Sequence, residues 1–247
     1  MKTRNQELYD KFQLYYDNVS SNQAPGFTLH EISVYLSDAQ LELVRSFYEM
    51  YEKDEACRKA LVPLVISELI EETTTNIEKI ADESRFYELP VIDKEVTGVD
   101  SDGRIETKPL PAALPKILYV LYEAVRNKNG KRPCHGWWNC PIKPVTHDEF
   151  HSIYRDPFIY NKRRSLRLDV SDGEKSYAEV VSTREGHEWG YYVRYVMRPT
   201  PIILCDGGPA DFTIDGYCFE HEPVLEQMFD NAIALGAAQK AYQHYKS

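Results

Sequence analysis

No apolar stretch in this chain approaches the roughly 18 residues that a membrane-spanning helix needs; the longest runs are short, as in Val62-Pro63-Leu64-Val65-Ile66. The first residues, Met1 to Glu7, lead into an amphipathic pattern rather than an apolar signal core, so export is not expected and the cytoplasm is the expected site of synthesis. Cysteine is scarce and odd in number, five in 247 residues, which argues against a disulfide scaffold. Basic residues are outnumbered, 29 against 39 acidic, and the net charge of −10 disfavours general binding to nucleic-acid phosphates. The deficit is uneven: residues 1–82 hold 8 basic and 15 acidic side chains, while the remainder hold 21 and 24.

Signatures of chemistry are also missing. Neither Gly-x-x-x-x-Gly-Lys nor Gly-x-Gly-x-x-Gly occurs, so no phosphate-cradling loop is indicated. Gly-x-Ser-x-Gly and Ser-x-x-Lys are absent too, and no cysteine stands in a protease-like context. Zinc is the nearest approach to a site. Cys134, His135, Cys140, His147 and His151 lie close in sequence, and Cys218 precedes His221. Thiolate and imidazole suit zinc, but five residues separate Cys134 from Cys140, where structural sites use two to four. Small buried cysteines in a Trp-rich loop explain the cluster equally simply. The expectation is no metal, no cofactor and no catalysis.

What remains, 43% hydrophobic and 28% charged, is the mix of an ordinary globular protein large enough to bury a substantial core. Leu8, Phe12, Tyr15 and Val19 recur at helical steps, giving a helix over residues 4–18. Pro25 and Gly26 interrupt, and Thr28 with Glu31 forms a capping box opening a second helix over 28–51. Its stripe runs Ile32, Tyr35, Leu36, Ala39, Leu43, Phe47 and Tyr51. Cys57, Ala60 and Leu61 fit a further turn or two before Pro63, with 61–70 read as extended.

Strands follow over 86–99, 114–125 and 191–196, with a turn at Asp100-Ser101-Asp102-Gly103. The clearest hairpin joins Leu166–Val170 to Tyr177–Val181 through Ser171-Asp172-Gly173-Glu174. A short strand, Phe212-Thr213-Ile214, and an Asp215-Gly216 turn precede a helix over 222–245 with Pro223 in its first turn. The expected class is therefore α+β: N-terminal helices (1–82) and a C-terminal helix (222–247) forming a bundle, with an antiparallel β-sheet domain (83–221) inserted between them.

Two surface features suggest interaction rather than turnover. There are 18 tyrosines against 9 phenylalanines, and tyrosine joins a large ring to a polar handle favoured in interfaces, although many must simply edge the sheet. The segment 155–167 carries Arg155, Lys162, Arg163, Arg164 and Arg167 against one acid, Asp156, and is the candidate basic interface in an acidic chain. By base rate, each of these cations could equally be a solvated surface charge.

At Asn22-Gln23-Ala24-Pro25-Gly26 with Ala39-Gln40 the chain begins to resemble virion structural proteins of crAss-like and related tailed bacteriophages of gut Bacteroidetes. The resemblance continues at Pro144–Phe150 and at Asp156-Pro157-Phe158, where the family pattern has Asn-Pro-Phe. It is clearest from Tyr192-Val193-Arg194-Tyr195 through Arg198–Leu204, and the helix Leu225…Ala237 completes it. The resemblance implies a head-to-tail connector, an adaptor or ring protein beneath the portal, located in the virion. Podovirus-type adaptors look similar in layout, and they assemble as twelvefold rings around the DNA exit channel. The implied partners are further copies of the chain, the portal, neighbouring tail and connector proteins, and passing double-stranded DNA held without sequence preference; no membrane is implied. An acidic channel wall would repel phosphates and let DNA slide. A tail-hub or minor capsid protein is the alternative, and a zinc-dependent enzyme a weaker one.

Overall fold

The structure is a computed structural model that describes residues 3–19, 26–92, 95–99, 105–109, 114–127, 139–156, 165–182, 189–205 and 210–246. It is mixed α and β. In chain order the elements are α1 (Arg4–Val19), α2 (Leu29–Glu49), α3 (Glu55–Leu61), β1 (Val65–Ile70), β2 (Ser84–Glu88), β3 (Glu95–Val99), β4 (Ile105–Pro109), β5 (Ile117–Asn127), β6 (Asn139–Pro144), α4 (His147–Arg155), β7 (Ser165–Ser171), β8 (Ser176–Val181), β9 (Trp189–Met197) and α5 (Asp230–Lys246). Contacts divide the chain into two compact units. The first is Met1–Leu64, Val91–Leu114 and Arg198–Ser247; the second is Val65–Pro90 and Pro115–Met197.

In the first unit, α2 opens as its capping box requires. Thr28 Oγ1 accepts from Glu31 N–H while the Glu31 carboxylate accepts from Thr28 N–H. Ile32, Leu36, Ala39 and Val44 are buried on one face of α2, and Leu8, Phe12 and Tyr16 on one face of α1. Both helices pack against α5. Gly236 allows close approach there, since a Cβ at that position would meet Ala39 Cβ at 3.4 Å. The 28–51 and 222–245 stripes therefore meet, but the C-terminal helix starts at Asp230, not at 222. Residues 222–226 are held in a non-helical course by other side chains. Arg4 donates to the carbonyls of Pro223 and Leu225 at 2.9 and 2.7 Å, and Gln40 Oε1 accepts from Val224 N–H at 2.9 Å. Backbone groups satisfied in this way have no need of a helical turn, and Pro223 lies in that non-helical segment.

A second set of side chains on α2 was not legible as structural. Ser33, Ser37 and Gln40 face inward, and Ser33 and Gln40 are buried. Ser33 Oγ accepts from Leu204 N–H, Ser37 Oγ accepts from Ile202 N–H and Gln40 Nε2 donates to Thr200 O. The segment 200–204 thus runs along the helix bonded to its side chains, with Ile202 and Ile203 fully buried. The expected strand at 212–214 is only a single bridge, Ile214 to Tyr217. The turn between them is real: Asp215 and Gly216 have φ of 51° and 85°, the left-handed pair that closes a two-residue hairpin.

The second unit is a seven-stranded sheet in the order β1-β9-β5-β6-β7-β8-β2. The expected hairpin over 166–181 is there as β7 and β8, with Gly173 at φ 95° in its turn. The expected single strand over 86–99 breaks into β2 and β3, with Pro90 between them lacking the N–H that a continuing ladder needs. The sheet is also not wholly antiparallel, because β6 pairs parallel with β7. The reason is α4. A parallel pair needs a crossover rather than a tight turn, and α4 supplies one. Its own capping box, Thr146 with Glu149, was a sequence signal left unread.

One face of this sheet carries Tyr87, Val125, Tyr191, Val193 and Tyr195 in a common core. Phe150 and Ile153 of α4 bury against Leu166, Leu168 and Val181 in a neighbouring cluster. β3 and β4 form a separate two-stranded ribbon. The expected turn at 100–103 lies outside the described residues. No helix among the described residues is long and apolar enough to cross a membrane.

Candidate assembly surfaces

The basic segment splits when its residues are placed. Arg155 ends α4 and is exposed. Lys162, Arg163 and Arg164 lie outside the described residues. Arg167 is on β7 with only 12% of its side chain exposed, directed into the second unit. There its Nε lies 3.1 Å from Glu123 Oε2 and its NH1 3.0 Å from Asp169 Oδ1. Tyr191 OH also donates to Glu123 Oε2, at 2.8 Å. Burial pushes the Glu123 carboxyl up despite the guanidinium beside it, and burial next to that carboxylate pushes the Tyr191 phenol up strongly. Arg167 thus belongs to an internal charge network, with little of its guanidinium presented to solvent.

The cysteine and histidine candidates disperse. Cys134 and His135 lie outside the described residues. Cys140 is buried with its Sγ 3.3 Å from Ser165 Oγ, while His147 and His151 are exposed on α4. Cys218 is fully buried beside Phe219. Among the described residues no three His, Cys, Asp or Glu side chains stand together as metal ligands.

Many tyrosines are core. Tyr16, Tyr87, Tyr177, Tyr191 and Tyr195 are all buried, and burial raises the Tyr87 phenol to about 12. Others face outward on the β1-β9-β5 side of the sheet. Tyr122 is 41% exposed and packs edge-on against Tyr192 at 6.1 Å, and the Arg126 guanidinium lies 5.0 Å from the Tyr192 ring centre. Leu69, opposite Tyr192 in the ladder, is 39% exposed. Arg194 donates to Ser67 Oγ on the same face at 3.0 Å. Tyrosine, arginine and an exposed leucine in one patch have the composition of an interface centre.

The first unit offers a different surface. Glu7, Asp10 and Asp17 of α1 and Asp38, Glu42 and Glu49 of α2 are exposed, so the acidic excess read from the sequence lies largely on helix surfaces. Arg45 pairs with Glu49 within α2 at 3.3 Å, and Lys240 of α5 reaches Glu42 at 2.8 Å. A cleft of about 530 Å³ also opens in this unit, lined in part by Asn5, Tyr9, Asp10, Phe27, Cys205 and Glu220. No histidine is among its described lining residues.

Comparison with known proteins identifies the family. Residues 3–246 match the family model described as phage tail ring protein 3/4. The chain is 27% identical to "Ring protein 4/5" of Bacteroides phage crAss001, over 96% of this chain and 92% of that one. It is 26% identical to "Ring protein 3" of the same phage, over 96% and 94%. With nearly its whole length matched, the chain belongs to the phage tail ring protein 3/4 family and is a structural ring protein of the crAss-like phage type.

Proposed function

We propose that this protein is the repeating subunit of a closed ring in the phage tail, part of the connector beneath the portal through which DNA leaves the head. The observation that carries this reading is the family match over residues 3–246, with two relatives that are both named ring proteins. The surfaces support it. A cyclic assembly needs two different complementary faces on each subunit, and this chain carries acidic helix faces on one unit and a Tyr/Arg sheet face on the other. Arg155 with Lys162, Arg163 and Arg164 is the proposed basic contribution to such contacts. A net charge of −10 suits a wall past which DNA must slide without sticking. Twelve copies, with the portal and other tail proteins above and below, complete the proposal, and the role is structural rather than catalytic.

Native mass measurement on complexes released from phage particles tests it. The expected species is a multiple of the 28.7 kDa chain corresponding to a closed ring. Recovery of the protein only as a monomer, as a minor capsid component would give, overturns the reading.

A further inference from the structure

The sheet of the second unit ends on β2 at one side and β1 at the other. The chain covers the β2 side itself: Thr73 N–H donates to Phe86 O at 2.8 Å, and Glu72 bridges Tyr87. The β1 side has no such cover among the described residues. Val65–Ile70 pairs with β9 alone, through six register positions, so alternate backbone N–H and C=O groups point outward. Nothing among the described residues blunts this edge. β1 contains no proline, its pairing with β9 runs without a bulge, and its one charged side chain, Glu68, is neutralised by Lys116 Nζ at 2.8 Å. Exposed Leu69 and Tyr122 lie beside it on the sheet face.

The ribbon β3–β4 has the opposite deficiency. Its strands pair with each other through five register positions and with no other strand among the described residues. A two-stranded ribbon is marginal in water, and a third strand is what usually stabilises it. Its sequence is nonetheless strand-forming, with Val96, Thr97, Val99, Ile105 and Thr107 all β-branched.

We infer that the β3–β4 ribbon of one copy adds to the β1 edge of the next copy, extending the seven-stranded sheet across the subunit boundary. The inference rests on the ring reading above. Donor ribbon and acceptor edge are two different surfaces on the same chain, which is what a head-to-tail cyclic interface requires. Main-chain hydrogen bonds supply the affinity, and side chains flanking β1, such as Leu69, supply the fit.

Hydrogen exchange read by mass spectrometry, on the full chain as monomer and in released rings, tests the pairing. Amides in 65–70 and 95–109 are expected to slow together on ring formation, by about tenfold or more. Replacing 95–109 by a flexible linker is expected to leave the monomer melting as before and 65–70 exchanging at the monomer rate. As a check without mutation, rings mixed from isotopically heavy and light copies should give heavy-to-light cross-links between Lys108 and Lys116, the latter paired with Glu68 of β1. Wild-type rings in which 65–70 exchanges at the monomer rate, or ribbon-replaced rings in which it is protected by another strand or another tail protein, overturn the edge pairing and leave the ring reading standing. A wild-type chain that enters no ring overturns the ring reading, and this inference with it.

Discussion

His221 shows what burial does to one side chain. Its backbone pairs both ways with Ile203, so the imidazole is held half-buried beside the Tyr217 ring, 5.2 Å away. Its Nε2 is buried with no hydrogen-bond partner among the described residues. Burial lowers its pKa from the ordinary histidine value. The folded form therefore resists protonation more than the unfolded form does. The stability this represents is fully present above the unfolded pKa, about 6.5, and is lost as pH falls through the depressed folded value. Glu31 and Asp172, held below the ordinary carboxylate range by hydrogen bonds from backbone N–H groups, lose their contributions only at lower pH. Between pH 7 and 5, denaturant melts of wild type should lose more stability than melts of His221→Phe, which keeps a ring and removes the titration. Equal losses in the two proteins would contradict this account of His221.

At the scale of elements, one arginine fixes how two helices begin. Arg4 opens α1, with its Nε 3.2 Å from both Asp230 carboxylate oxygens and its NH2 2.6 Å from Oδ1. Asp230 opens α5 and is fully buried, where its charge favours the helix N-terminus. Arg4→Ala strands that carboxylate and frees the carbonyls of Pro223 and Leu225, so it should cost about 3 kcal/mol in denaturant melts. Arg4→Lys should recover only part, because lysine lacks the fork. A loss under 1 kcal/mol in Arg4→Ala, the size of a surface pair, would contradict the clamp.

The same pair explains where the sequence was and was not legible. Local signals were: the Thr28–Glu31 box, the apolar stripe of α2 and the Gly173 turn are read within a few residues. The start of α5 was not, because the residue that holds the carbonyls of Pro223 and Leu225 lies more than two hundred positions earlier in the chain. Nor was the course of the run 202–204, which is bonded to serines on a helix and bridges His221 through Ile203. Thr146 with Glu149 was local and readable, and from it the helical crossover behind the parallel β6–β7 pair could have been anticipated. Arg167 looked like a surface cation because its partner Glu123 is contributed by another strand.

For the whole molecule, family and order of elements carry more than any side-chain constellation. No catalytic constellation was legible in the sequence. What the sequence did carry was an uneven acidic charge and a tyrosine excess. The structure distributes these as acidic helix faces in one unit and a Tyr/Arg sheet face in the other. In the proposed ring, each of these surfaces would meet a different surface of the next copy. The most direct test of the central claim is a symmetry-resolved image of the assembled particle. It should show copies of this chain closed in a ring around the tail axis, between portal and tail, with the channel passing through. A single copy, an open arrangement, or a position away from that axis would contradict it.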